Sequence, residues 1–187
     1  PYLRGEQTGK VVGITFDDGY RNNLTEALPI LKEFGFSATC YIISQKIGGV
    51  NEWDLEKGIP ENPLMDEDDI HQWIDGGMEI GSHTQNHVHL TECDTQQAEM
   101  EITQSKQDLE QLFGSTIDHF CYPWGKHTTN IAQLTKQTKY QSATTTKRGR
   151  ATQAHSLQHL PRVPVSHSTL PHLFLLKVLT AYEDRRG

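Results

Sequence analysis

The stretch ITFDDGY, residues 14–20, places two adjacent carboxylates at the end of an apolar run. Residues 10–16, KVVGITF, are apolar and β-branched, a pattern that is typical of a buried strand. Asp17 and Asp18 therefore follow directly on the end of a predicted strand. Two neighbouring negative charges repel each other, and partial burial raises the cost of keeping both ionised. Something close to this strand end must stabilise them.

Five further segments predict strands, and helical patterns separate them. The predicted strands are 37–43, 78–82, 117–122, 140–146 and 159–165, and the predicted helices are 22–35, 65–77, 95–114, 128–138 and 168–184. Such alternation predicts an α/β fold with parallel strands and crossover helices. Two architectures fit, an open doubly wound sheet and a barrel. No G-x-G-x-x-G follows the first strand, and a full eight-unit barrel needs about 250 residues, so a barrel of this length would be incomplete.

The sequence also predicts a long loop and the start of two helices. Residues 45–64 form a long loop rich in Gly, Pro and Asn, of the kind that often lines a binding cleft. Asp66 is the expected N-cap of the helix that follows this loop. The helix over 168–184 is strongly apolar, so we expect it to belong to the core, with Ser168 or Thr169 as its cap.

The composition excludes some classes of partner. The 187 residues carry a formal net charge of -7, with 22% charged and 35% hydrophobic residues, and no basic stripe. A polyanionic partner such as nucleic acid, or an anionic membrane surface, is therefore disfavoured. No run of about 18 apolar residues is present, so no membrane span is expected. The three cysteines are too few and too widely spaced for a disulfide framework.

The compartment and the oligomeric state stay open at this stage. The first ten residues, PYLRGEQTGK, lack the apolar segment of a signal peptide. The protein is expected to be extracytoplasmic if a signal segment was removed, and cytoplasmic otherwise.

Polar side chains follow several of the predicted strands at the point where each strand ends. His83 and His87, in SHTQNH, come after the third strand, and residues 122–125, YPWG, come after the fourth. Arg162 and His167 come at the end of the sixth. Ligands bind at the carboxyl ends of the strands in both architectures. These groups are therefore expected to converge with Asp17 and Asp18 on one rim.

Asp18, His83 and His87 make a chemically sensible set of metal ligands. Catalytic zinc commonly has three N or O protein ligands and one open position for water, and two imidazoles with one carboxylate also suit Co, Ni and Fe(II). A divalent cation would neutralise one aspartate, so its neighbour Asp17 could stay ionised and deprotonate a bound water. Each motif taken alone is more often a turn or a coincidence. Their joint occurrence at strand ends favours a metal site.

At these residues the chain resembles the polysaccharide deacetylases of the NodB-homology type, carbohydrate esterase family 4. TFDDG (15–19) matches the first motif of that family, SHTQNH with LT at 90–91 matches the second, and FCYPWG (120–125) is similar to the third. The resemblance spans about residues 10–165. It implies a single catalytic domain over 1–187, with a distorted, incomplete (β/α) barrel. It also implies hydrolysis of acetyl groups, most often N-acetyl groups of amino sugars, on a polysaccharide or oligosaccharide substrate.

The resemblance implies a role for each matching residue. Asp17 would be the general base, and Asp18, His83 and His87 would hold a divalent metal, expected to be Zn with Co or Ni as alternatives. The main-chain N–H of Trp124 would donate to the oxyanion.

The sequence departs from the family pattern at two positions. Cys121 occupies the place of an arginine in the third motif, and Arg162 is our candidate for its replacement, because a guanidinium can reach the same carboxylate from another strand. The last motif, L-x-H, supplies the general acid in the family and has no clear match here. His167 is the nearest candidate. Without it, Asp17 could serve as base and then as acid.

Two other functions are compatible with part of this pattern. A non-haem Fe(II) oxygenase could use two His and one carboxylate, but it is disfavoured because those folds are antiparallel β, and it leaves Asp17 without a role. A catalytically weak or inactive carbohydrate-binding module on the same scaffold is the alternative that the two departures favour. Trp124 and Trp53 are candidates for stacking on sugars, whereas Trp73 is expected in the core.

Overall fold

The computed structural model describes residues 2–186, in which six parallel strands form one sheet. The strands are β1 (Ile14–Phe16), β2 (Ala38–Ile42), β3 (Glu79–Ser82), β4 (His119–Cys121), β5 (Ser142–Arg148) and β6 (Leu160–Arg162). The helices are α1 (Leu28–Phe34), α2 (Glu52–Leu55), α3 (Glu67–Asp75), α4 (Thr95–Phe113), α5 (Thr129–Gln137) and α6 (Pro171–Leu179). A π-helical turn (Asn23–Ala27) precedes α1, and 3₁₀ turns lie at Tyr2–Arg4, Ser44–Lys46 and Pro123–Gly125. Each predicted strand overlaps one that is observed.

The order of the strands decides between the two architectures. Each strand pairs in parallel with the next one along the chain, in the order β1-β2-β3-β4-β5-β6. A doubly wound sheet reverses its direction of growth at a switch point, whereas a barrel adds every strand on the same side. The chain is therefore wound as a barrel.

The sheet is curled, and its two edges approach each other at the carboxyl ends of the strands. Arg162, the last residue of β6, donates to the hydroxyl of Thr15 in β1 at 3.2 Å, although the two strands do not pair. Six strands are too few to close a barrel of the usual eight. The result is the distorted, incomplete (β/α) barrel that the family resemblance implies.

The hydrophobic core lies between the convex face of the sheet and the helices. Its strand members include Cys40, Ile42, Ile80 and Phe120, and its helix members include Trp73, Ile102 and Leu109. Since successive strand residues point to opposite faces, Cys121 points into the concave side, where its sulfur meets Arg162. Strand residues of the core thus point from the convex face of the sheet toward the helices, and reactive residues point into its concave side.

The predicted cap of α3 is confirmed. The Asp66 carboxylate accepts the Asp69 N–H at 2.8 Å, and Asp69 completes a capping box. Trp73 on the same helix is fully buried, as predicted, and its indole N–H donates to the Glu79 carbonyl. Among residues 2–186, no helix is both long and apolar enough to cross a membrane.

The prediction that the last apolar helix belongs to the core is wrong. In α6 and the residue before it, the exposed side chains are Leu170 (58%), Phe174 (42%), Leu175 (54%), Leu176 (41%) and Leu179 (60%). Leu170, and not Ser168 or Thr169, occupies the cap position, and it makes no side-chain cap. The helix is attached through polar contacts instead. The buried Lys177 ammonium donates to the Pro164 carbonyl and pairs with Glu183, which also binds Arg148.

Candidate active site

The carboxyl ends of four strands bring the predicted groups together. Asp17 and Asp18 follow β1, His83 follows β3, and Arg162 ends β6. Cys121, the last residue of β4, lies beneath them. Because parallel strands end on the same rim, side chains that are up to 145 residues apart in the chain come into direct contact.

Asp18, His83 and His87 point their ligand atoms at one another. The Oδ1 atom of Asp18 lies 3.2 Å from Nε2 of His83 and 3.4 Å from Nε2 of His87. Atoms bound at about 2.1 Å to a tetrahedral ion lie about 3.4 Å apart, so this spacing is that of ligands around one metal. Both imidazoles are buried and the carboxylate is partly exposed, which leaves one side of the group open to solvent.

The imidazoles are oriented for this role. His83 Nδ1 donates to the carbonyl of Cys121 at 2.6 Å, which turns the Nε2 atom toward Asp18. Burial lowers the pKa of His87, which favours the neutral ring that metal binding requires. Burial also lowers the pKa of His83, but its contacts with Cys121 and Asp18 outweigh burial and raise it, so a metal would have to displace a proton from this ring. Burial raises the pKa of Asp18, but its hydrogen bonds to the two imidazoles outweigh burial and bring the pKa below its ordinary value. The residues present therefore fit a divalent metal such as zinc.

Several residues in and beside this candidate ligand group have a strained backbone. Asp18, Thr84 and His87 have φ values of 73°, 68° and 56°, in the left-handed region that non-glycine residues seldom occupy. The hydroxyl of Thr84 accepts the N–H of His87 at 3.0 Å, which helps to hold the loop between the histidines. Strain of this kind persists only where surrounding contacts enforce it, and it is frequent at functional sites.

Asp17 has different partners from those of Asp18. Its two carboxylate oxygens accept from Nη1 and Nη2 of Arg162, each at 2.7 Å. Nε of Arg162 donates to the Thr145 carbonyl at 2.8 Å, and Nη2 also lies 3.3 Å from the sulfur of Cys121. Burial raises the pKa of Asp17, but the Arg162 hydrogen bonds and charge outweigh it, so the pKa is lower than usual. Asp17 is thus held as an oriented, ionised carboxylate.

A second group of candidate ligands, Asp17, His83 and Cys121, also lies close together. The guanidinium of Arg162 already binds the Asp17 carboxylate and contacts the Cys121 sulfur. A cation is therefore already present at that position. The set that remains for a metal is Asp18, His83 and His87.

Trp124 lies against the histidines of the candidate metal site. Its ring is 4.3 Å from that of His87 and stacks on His89 at 3.6 Å between centroids. Lys57, from the long loop, lies over the indole at 5.4 Å, so neighbours of this chain already contact the ring that we expected to stack on sugar. The backbone of Trp124 has φ 53°, and its main-chain N–H has no acceptor among the described residues. A free N–H beside a metal site can bind an oxyanion.

Gly125 allows the turn that exposes the main-chain N–H of Trp124, and we expect a larger residue there to destabilise the fold. A Cβ on Gly125 would overlap the hydroxyl and backbone nitrogen of Thr146, and φ is 70°. Gly114 has a similar φ of 63° with open space around it, so it is a matched control. We expect Gly125→Ala to lower the free energy of unfolding by about 3 kcal/mol and Gly114→Ala by about 1 kcal/mol, measured by urea denaturation. Equal losses would contradict the packing argument.

The structure does not bring His167 into this cluster. It is exposed in the segment between β6 and α6, and it has no hydrogen bond, ion pair or ring contact with the other site residues that the structure describes. Two neighbours of the site were not singled out from the sequence, His89 and Lys57. His89 could have been found as the last histidine of HTQNHVH, residues 83–89. Lys57 could have been found from its place in the long loop.

The loop over 45–64 does reach the site. Trp53, in α2, packs on His87 with the ring centroids 4.4 Å apart. Asp54 accepts from the hydroxyl of Tyr20 at 3.4 Å and pairs with Lys57 at 2.8 Å. The loop therefore forms one wall of the site, as its composition suggested.

The fold and the site define an α/β half-barrel domain in which two imidazoles and a carboxylate face one another at the carboxyl rim of the sheet. The sequence profile of the polysaccharide deacetylase family matches residues 4–143. The chain belongs to this family.

Relatives and solved structures agree with this assignment. YxkH of Bacillus subtilis (strain 168), which carries the name of a polysaccharide deacetylase, is 31% identical over 157 residues, 84% of this chain and 52% of its own length. A Bacillus cereus peptidoglycan-N-acetylglucosamine deacetylase is 25% identical over 134 residues, 71% of this chain and 55% of its own. The chain thus spans about half the length of the curated relatives that it matches. The structure of the Streptococcus pyogenes deacetylase PplD in complex with acetate superposes with a TM-score of 0.80 and 25% identity, over 94% of this chain and 74% of that one.

Proposed function

We propose that this protein is a metal-dependent hydrolase that removes acetyl groups, chiefly N-acetyl groups of amino-sugar residues, from a polysaccharide or oligosaccharide. One observation carries the proposal: two adjacent carboxylates have separate partners. Asp18 faces two imidazoles, and Asp17 faces a guanidinium. This division supports a metal ligand beside a general base, which is the pair of groups that amide hydrolysis requires.

Asp18, His83 and His87 would hold the metal, expected to be Zn²⁺, with Co²⁺ or Ni²⁺ as alternatives. When bound, a divalent ion polarises the acetyl carbonyl and lowers the pKa of a coordinated water. The Cys121 carbonyl accepts from His83 Nδ1 and would thereby keep the His83 ring oriented toward the metal.

Asp17 would take the proton from the attacking water. The bidentate contact with Arg162 fixes the orientation of the carboxylate and keeps it ionised. The Trp124 N–H, which has no acceptor among the described residues, would donate to the oxygen that gains negative charge. The protonated Asp17 then holds the proton that the leaving amine needs, and the exposed His167 stays a prediction for this step.

The choice of an N-acetyl substrate is supported by the name of the Bacillus cereus relative, which specifies N-acetylglucosamine in peptidoglycan. The net charge of -7 is compatible with a product that carries a free amine. A non-catalytic sugar-binding module is the second candidate, and the exchange of the motif arginine for Cys121 favours it.

The function is tested by incubating the purified protein with an acetylated amino-sugar oligosaccharide and measuring acetate release and bound metal. We expect acetate release that needs the bound metal, and faster release from an N-acetylated than from an O-acetylated oligosaccharide. Binding of the oligosaccharide without acetate release, in metal-loaded protein, would identify the binding module instead.

Replacing Arg162 should change both the rate and the pH profile. Without the guanidinium, burial alone would raise the pKa of Asp17, whereas the native pKa is lowered. Asp17 acts when deprotonated, so the acid limb of kcat/KM in Arg162→Met should move to higher pH, and kcat should fall by about 10²-fold. Arg150→Met is a matched control, because Arg150 also binds a carboxylate, that of the distant Asp184. An unchanged profile in Arg162→Met would show that Arg162 does not replace the motif arginine.

A further inference from the structure

Glu101, in α4, is a buried carboxylate for which the mechanism above has no use. Its exposed fraction is 2%, and no Lys, Arg or His side chain pairs with it within the described chain. A buried carboxylate is costly unless hydrogen bonds compensate for the lost hydration. The question is therefore what binds it.

All of its hydrogen bonds come from the loop between the two histidine ligands, residues 83–87, which we call the histidine loop. One oxygen of Glu101 accepts the backbone N–H groups of Gln85 and Asn86, each at 3.0 Å. The other accepts from the Asn86 side-chain amide at 2.8 Å. Successive N–H groups that point at one anion form a backbone nest, and here the anion belongs to the protein itself.

The histidine loop needs such support because of its conformation. Thr84 and His87 both have positive φ, at 68° and 56°. The carbonyls of Thr84 and Gln85 accept from the N–H groups of Ser44 and Gln45, at 3.1 and 2.9 Å. These two bonds hold the loop by its carbonyl groups, the Thr84 hydroxyl accepts the His87 N–H from within the loop, and the Gln85 side-chain amide donates to Asp108 at 3.0 Å. None of them binds the backbone N–H groups of Gln85 and Asn86. Glu101 binds the N–H groups of the two residues that directly precede His87.

We propose that Glu101 is a positioning residue for the metal site: it holds the histidine loop in its strained conformation and thereby sets the affinity for the metal. Without the carboxylate, the Gln85 and Asn86 N–H groups lose their acceptor, and the backbone at His87 can relax toward negative φ. The Nε2 atom of His87 would then leave its place 3.4 Å from Asp18. The inference rests on the proposed metal site.

The test compares the zinc affinity of Glu101→Gln and Glu101→Ala with that of the native chain, by competition with a chromogenic chelator. Outer contacts that orient metal ligands are worth about 10–100-fold in affinity, so we expect a loss in that range for Glu101→Ala. Glu101→Gln should lose less, because its amide oxygen can still accept both N–H groups. Turnover of Glu101→Gln should recover at saturating zinc, since the residue acts through position.

Glu110→Ala is the matched control. Glu110 lies on the same helix and also accepts a backbone N–H, that of Ile117 at 3.0 Å, but far from the histidine loop. It should lower the melting temperature of the metal-free protein while leaving zinc affinity unchanged. Should Glu101→Ala fail to fold, Glu101→Gln carries the test. Native zinc affinity in every folded Glu101 variant would overturn the inference, whereas a native chain that binds no zinc would overturn the proposed function itself.

Discussion

Replacing Asp17 with Asn should lower kcat by about 10³-fold and leave the bound metal in place. The amide keeps the size of the side chain, but it cannot take a proton from water. It also loses the charge that pairs with Arg162, which donates to both Asp17 oxygens at 2.7 Å. Because Asp18 and not Asp17 faces the two imidazoles, the metal ligands are unchanged. Acetate release and the metal content of the same sample give both readouts.

Asp75→Asn is the control for loss of one aspartate charge, since Asp75 is exposed at the end of α3. It should keep both turnover and metal. If Asp17→Asn retains more than about a tenth of native kcat, another group is the general base. If it loses the metal, Asp17 belongs to the ligand set and the division between the two carboxylates is wrong.

Replacing His83 with Ala should remove the metal and the activity together. His83 is buried, supplies Nε2 at 3.2 Å from Asp18, and is oriented through Nδ1 by the Cys121 carbonyl. Loss of a direct ligand should cost more affinity than the about 10–100-fold of an outer contact. Metal content after gel filtration, together with acetate release, measures the effect.

His89→Ala is the control for this substitution. His89 stacks on Trp124 and lies two residues from His87, but it is outside the ligand group. It should therefore retain the metal. Because His83→Ala also leaves the Cys121 carbonyl without its donor, its melting temperature is measured without metal, so that a loss of folding is separated from a loss of binding. Native metal content in folded His83→Ala would exclude the proposed site.

The approach of Asp18 to His83 and His87, with Asp17 beside them, could be predicted from the sequence because the signals are local. A buried strand ends directly before Asp17 and Asp18, and the spacing of His83 and His87 in one short loop brings two imidazoles to one place. The alternation of strands and helices then implies that all strand ends share one rim. None of these inferences needed contacts between distant segments.

Other features depended on contacts that no local pattern encodes. The predicted burial of α6 is wrong, since apolar periodicity shows which residues could be covered and not whether a neighbour covers them. His167 lies near Arg162 in sequence, yet its side chain is exposed and makes no contact with the cluster among residues 2–186. No pattern in the sequence distinguishes Glu101 from other helix residues, and only the fold shows that it binds the histidine loop.

The sequence by itself determined the class of fold, the rim that carries the site, and the chemical types that meet there, because strand order along the chain and residue spacing are local properties. The family resemblance implied a curled sheet and made Arg162 a candidate partner of Asp17, but only the tertiary structure shows that the two edges come close enough for Arg162 in the last strand to bind Asp17 after the first. That contact joins residues 145 positions apart, and it depends on the accumulated twist of six strands.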